Sequence, residues 1–151
     1  MAHAPGTVER PRPVLGRDRE QTLTDRQRHV LQQLDALFRD GFAELTMAEI
    51  AARVGCSLRT LYALAPSRDE LVLVVVDRQL WRIGGAAERT IADDRAPLDA
   101  IRAYLRAAHV AVSRSTDAWS RDISTVPAVR ALVDRHNEYL VDVTRTLLDS
   151  A

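Results

Sequence analysis

The sequence contains no lysine. All 21 basic side chains are arginine, they face 21 acidic ones, and the formal net charge is zero. That balance excludes a blanket polycation of the histone-tail kind. It leaves room for nucleic-acid binding through a local basic surface, because placement matters more than total charge. Neither half is basic as a whole: residues 1–70 hold ten arginines and ten acids, residues 71–151 eleven of each. Only one cysteine is present, Cys56, which forbids an internal disulfide and fits a reducing cytoplasm. The longest strongly apolar run, Leu71 to Val76, has six residues, whereas a bilayer span needs roughly 20. The N-terminus lacks the apolar h-region of a secretory signal. A cytoplasmic chain without membrane association is therefore expected.

Catalytic and metal-binding patterns are missing as well. There is no Gly-x-Ser-x-Gly elbow, no phosphate-cradling glycine-rich loop and no His-Glu-x-x-His. No cysteine pair exists and the four histidines show no ligand spacing, so no metal site or cofactor is expected. The expectation is a non-enzyme.

What the sequence does hold is an ordinary globular balance, 46% hydrophobic and 28% charged over 151 residues, enough for one domain or two small ones. Residues 1–23 stand apart. Pro5, Pro11, Pro13, Gly6 and Gly16 break regular structure, and Arg10, Arg12, Arg17 and Arg19 are interleaved with polar residues. This predicts a flexible basic arm, either a plain disordered tail or an arm that reaches DNA phosphates or a minor groove.

From Thr24 onward the pattern is helical. Thr24 with Gln27 forms a capping box, and Val30, Leu31, Leu34, Leu37 and Phe38 make one apolar stripe up to Gly41, predicting a helix over 25–40. Thr46 with Glu49 opens a second helix that ends at Gly55. Ser57 caps a third, Leu58 to Leu64, which Pro66 stops. Ser67 with Glu70 starts a long helix near Arg68. In that helix the four valines of 71–76 favour a strand by propensity, but the capping box favours a helix. Gly84-Gly85 is expected to kink or weaken it. A break follows at 93–96; Pro97 then starts a helix lined by Leu98, Ile101, Leu105, Ala108 and Val112. A turn at 113–117, a short helix with Trp119 and Ile123, and a last helix from Pro127 complete the chain. Helix, tight glycine turn, helix within twenty-odd residues is the helix-turn-helix layout, whose second member can enter the major groove.

The stretch Thr46-Met-Ala-Glu-Ile-Ala-Ala-Arg-Val-Gly-Cys-Ser-Leu-Arg-Thr-Leu-Tyr62 resembles the DNA-binding domain of TetR-type transcriptional regulators. Leu37-Phe38-Arg39-Asp40-Gly41-Phe42 before it and Pro66-Ser67-Arg68-Asp69-Glu70-Leu71 after it resemble the same family. The resemblance implies an all-α protein. A three-helix, homeodomain-like reader at residues 24–70 leads into a shortened helical ligand-binding and dimerisation domain at 71–151. It implies a double-stranded DNA operator, a homodimer, an unidentified small-molecule effector and, most often, repression. Family members usually finish with two further helices that build the dimer bundle. Here these are absent or reduced, so either the chain is a fragment or dimerisation uses another surface. Two departures also bear on the reader. Leu64 stands where histidine or tyrosine is frequent, losing one DNA contact, and Ala65 stands where an aromatic is usual.

Within the third helix Leu61 and Ala65 should face inward, leaving Leu58, Arg59, Thr60, Tyr62 and Ala63 outward. Arg59 is expected to read guanine or hold a phosphate, and Leu58 either to touch a thymine methyl or to be a plain surface leucine. The resemblance assigns Thr60 and Tyr62 to phosphates. Ser57 joins them as the helix cap, and Thr46 and Arg68 are expected at phosphates because they open helices. Beyond residue 80, His136 falls inside its helix's apolar stripe. It is either a core histidine or a ligand contact, and Trp81, Tyr104, His109 and Trp119 are the other candidate pocket residues. The competing reading is a helical interaction module or adaptor that has lost specific DNA reading.

Overall fold

The computed structural model describes residues 9–91 and 96–149, without the side chains of Ala111 and Val112. Every regular element among the described residues is an α-helix: α1 (Arg17–Thr22), α2 (Asp25–Arg39), α3 (Met47–Val54), α4 (Leu58–Leu64), α5 (Arg68–Arg89), α6 (Pro97–Val112), α7 (Asp117–Ile123) and α8 (Pro127–Asp149).

The caps explain the starts. Thr24 Oγ1 accepts the Gln27 N–H at 3.1 Å while Gln27 Oε1 accepts the Thr24 N–H at 2.9 Å. Thr46 and Glu49 repeat this reciprocal arrangement at α3. Such caps are worth about 1 kcal/mol each because they satisfy amides that have no partner inside the helix. Ser57 and Thr116 cap α4 and α7 in the simpler way. At α5 the Ser67 hydroxyl accepts the Glu70 N–H and donates to Glu70 Oε2. The stops are equally local. Gly55 ends α3 in the left-handed region at φ 64°, open to glycine without strain. Ala65 ends α4 in an extended conformation, as the residue before Pro66 should.

Leu71 to Val76 is helical, so burial overrides β-propensity. Leu71, Val72, Val74, Val75 and Val76 are all buried, and Asp77 and Gln79 are buried with them. A helix covered nearly all round reads as an unbroken apolar run, which is why its period was hidden. Gly84 and Gly85 lie inside this helix, which continues through them to Arg89.

The chain divides into two compact units. One comprises residues 12–79 and 115–132; the other comprises 1–11, 80–114 and 133–151. α7 and the start of α8 fall in the same unit as α2 to α4. In the first unit Val30, Leu34, Phe38, Phe42, Ile50, Leu61, Leu71 and Leu132 are fully buried. The Phe38 and Phe42 rings sit 5.6 Å apart, tilted by 53°. In the second unit Ala87, Ile101, Tyr104, Tyr139, Val143 and Leu147 form one cluster. Burial pushes the Tyr104 hydroxyl up to about 12.

Part of the expected arm is held in the fold. Residues 17–22 form α1, and Leu15 and Leu23 on either side are buried. The Val14 N–H donates to Asp77 Oδ2 at 2.9 Å, and Glu20 pairs with Arg78. Two apolar anchors and a buried carboxylate thus hold a segment whose glycine and prolines suggested freedom. Residues 1–8 of the expected arm and residues 93–95 of the expected break lie outside the described residues.

Candidate nucleic-acid interface

α3 and α4 are joined by only three residues, Gly55, Cys56 and Ser57. The left-handed glycine turns the chain sharply, with the Cys56 N–H returning to Ala51 O at 3.0 Å. Burial pushes the Cys56 thiol up, away from the reactive thiolate form. α4 buries Leu61 and Leu64, and Ala65 behind them, so its other face is turned outward. Leu58 is 43% exposed and Tyr62 52%, large values for residues of this size. Arg59 and Ala63 are exposed and Thr60 is half-buried. Thr60 shares a 3.0 Å hydroxyl hydrogen bond with Ser57, whose oxygen also accepts the Thr60 N–H at 3.1 Å.

The charge around α4 is one-sided. No carboxylate stands in its first turn. The guanidinium of Arg26 donates to Gly55 O at 2.7 Å, before the helix, and that of Arg19 donates to Ala63 O at 2.8 Å, near its end. Arg59 adds a third arginine on α4 itself. Arg19 was expected only as part of the basic arm and Arg26 carried no signal, because their acceptors are main-chain carbonyls 44 and 29 residues away.

Two expected phosphate contacts are otherwise engaged. The Thr46 hydroxyl accepts the Glu49 N–H at 3.2 Å and donates to Glu49 Oε2 at 2.9 Å; the same oxygen accepts the Thr46 N–H at 2.8 Å. The Thr46 N–H and hydroxyl hold the Glu49 carboxyl below the usual carboxylate range. Arg68 is turned onto the α2–α3 turn. Its Nε donates to Leu45 O at 2.6 Å and its Nη2 to Phe42 O at 2.5 Å and Ala43 O at 2.8 Å. Its Nη1 meets Asp69 at 3.0 Å. The guanidinium fork is spent on three carbonyls rather than held toward solvent.

The other candidates fall into separate places. Trp119 belongs to the first unit, where its indole N–H donates to Gln79 Oε1 at 3.1 Å. Trp81 and His136 meet in the second unit, ring centroids 5.6 Å apart and nearly perpendicular. The Trp81 indole nitrogen is buried and makes no hydrogen bond to the described residues. Tyr104 lies in the second unit's core, and His109 is exposed on α6. The Tyr139 hydroxyl donates to Glu88 Oε1 at 2.6 Å, and Arg10 pairs with Glu88 Oε2 at 2.7 Å.

A short capped helix, a left-handed glycine turn and a second helix with an outward face carrying arginine make a helix-turn-helix, a layout whose second helix can enter a major groove. Residues 34–75 match the family model described as Bacterial regulatory proteins, tetR family. No curated protein and no solved structure matches the chain. Among the described residues, no helix is long and apolar enough to cross a membrane.

Proposed function

We propose that the chain is a ligand-responsive repressor that binds a pseudo-palindromic operator as a homodimer in the cytoplasm. The observation that carries this reading is the exposed face of α4, with Arg59 as its only charged side chain between Leu58 and Tyr62. Arg59 has the fork to take guanine N7 and O6, and Leu58 has the apolar surface to meet a thymine methyl. Ser57, Thr60 and Tyr62 carry hydroxyls suited to phosphates. Thr46 enters this scheme only as the cap of α3, and Arg68 only through its main-chain amide. The Trp81–His136 pair and Tyr104 are the proposed effector contacts.

The internal engagement of Thr46 and Arg68 favours a second reading, an adaptor whose helix-turn-helix no longer reads sequence. Selection from a random duplex pool separates the two. The repressor reading expects enrichment of a two-fold site with half-sites spaced by about one helical repeat, bound by a dimer on sizing. An adaptor enriches no sequence.

A further inference from the structure

α7 is fastened to the helix-turn-helix unit by polar contacts that the sequence does not reveal. The Thr116 hydroxyl donates to Arg39 O at the end of α2. The Trp119 indole donates to Gln79, whose amide nitrogen donates to Asp35 O at 3.3 Å. The Asp122 carboxylate is the most telling of the three. Its Oδ2 accepts the Phe42 N–H at 2.5 Å and the Ala43 N–H at 2.9 Å, from 80 and 79 residues away. Gly41 sits beside it at φ +103°. A Cβ there would stand 2.8 Å from Asp122 Oδ2 and 3.2 Å from Ala118 Cβ, so glycine is what lets α7 approach.

The α2–α3 turn is therefore gripped by both kinds of main-chain group. Asp122 takes its amides, and Arg68 takes the carbonyls of Phe42, Ala43 and Leu45. α3 starts at Met47 directly after this turn, and α4 follows α3 across the Gly55 turn. Whatever fixes residues 41–45 fixes the direction in which α4 leaves. Neither Asp122 nor Gly41 stands on the outward face of α4, so the effect on DNA is indirect.

We propose that Asp122 is a positioning residue for DNA reading: its carboxylate on the Phe42 and Ala43 amides sets the pose of α3 and α4. The proposal rests on the DNA reading above and adds to it a segment more than 50 residues beyond the reader. Phosphate contacts made by flexible arginines tolerate a small tilt of α4. Contacts to base edges do not, since they need fixed geometry. Loss of Asp122 should therefore lower specificity more than general affinity.

The test uses the full chain and the duplex that the wild type enriches from a random pool, with a scrambled duplex of equal length as control. D122A and D122N are measured at a temperature where circular dichroism shows both folded. A charge-assisted hydrogen bond is about twice as strong as a neutral one, so the amide of D122N should retain part of the effect. The expected result is about tenfold weaker binding of the selected duplex by D122A and about threefold by D122N. Binding of the scrambled duplex should stay within about twofold. If D122A does not fold, D122N alone decides, and wild-type affinity for the selected duplex overturns the proposal. Equal losses on both duplexes also overturn it, because they mark general loosening. If the wild type enriches no duplex, the DNA reading itself fails and the positioning role falls with it. A selected duplex bound equally by wild type and both variants removes the positioning role alone.

Discussion

Replacing Arg68 by alanine separates a structural arginine from a phosphate-binding one. In the folded chain the guanidinium serves three carbonyls of the α2–α3 turn at 2.5 to 2.8 Å, and Phe42 and Leu45 beside it are buried. A hydrogen bond to a charged group contributes about 1.5–3 kcal/mol, and bonds sharing one group do not add in full. The contact to Asp69 is largely exposed and adds little. Allowing for water that reaches the half-open turn, the loss comes to about 3 kcal/mol, a fall in Tm of roughly 6–12 °C for a chain of this size. Lysine cannot reproduce the fork, so R68K should recover less than half of the loss. Thermal melts followed by circular dichroism give the stability. DNA titrations across salt concentrations, run well below the Tm, give the number of phosphate contacts. The expected result is a lower Tm and an unchanged salt slope. An unchanged Tm with a slope smaller by about 0.9 would refute the reasoning, because that is the mark of one lost phosphate contact.

Two further perturbations follow from the same geometry. Gly55 is left-handed but open, whereas Gly41 is left-handed and pressed against Asp122 and Ala118. G55A should lower the unfolding free energy by about 1 kcal/mol and G41A by about 2 kcal/mol or more, read from urea midpoints. The order reversed would contradict the α7 contact. Tyr104 is held protonated up to about 12 in the folded chain, against an ordinary value of 10.0. The unfolded state then gives up its proton first, so this residue's contribution to stability declines as pH climbs from 10 toward 12. A phenolate absorbance titration should show this tyrosine ionising last, and Y104F should flatten the alkaline decline. Ionisation of Tyr104 near the ordinary value of 10.0 would show it is not buried.

Local chemistry made much of the fold legible. Thr24, Thr46, Ser57 and Gly55 announce helix ends within four residues of themselves, so α2, α3 and α4 were readable from spacing alone. The inward turn of Leu61 and Ala65 and the exposure of Arg59 and Tyr62 follow from the same periodicity. What was hidden depends on distant partners. α1 is six residues long and preceded by prolines and glycine, and it is held by Asp77 and by the burial of Leu15 and Leu23. Arg68 read as a phosphate ligand because its position in the helix says nothing of the carbonyls 23 to 26 residues earlier. Asp122 carried no signal, since an acid on a short amphipathic helix is ordinary until its partners are known. Trp119 looked like a pocket aromatic, and its indole is bonded to a glutamine of α5.

Arg59 is the most direct handle on the central claim, that the outward face of α4 reads DNA sequence. The measurement is the affinity of wild type and R59A for the duplex selected by the wild type and for duplexes altered one base pair at a time. A bidentate arginine–guanine contact carries about 1–3 kcal/mol of discrimination. The account predicts that R59A loses about that much on the selected duplex and becomes indifferent to the base at one position in each half-site. R59A binding every duplex as the wild type does would contradict it.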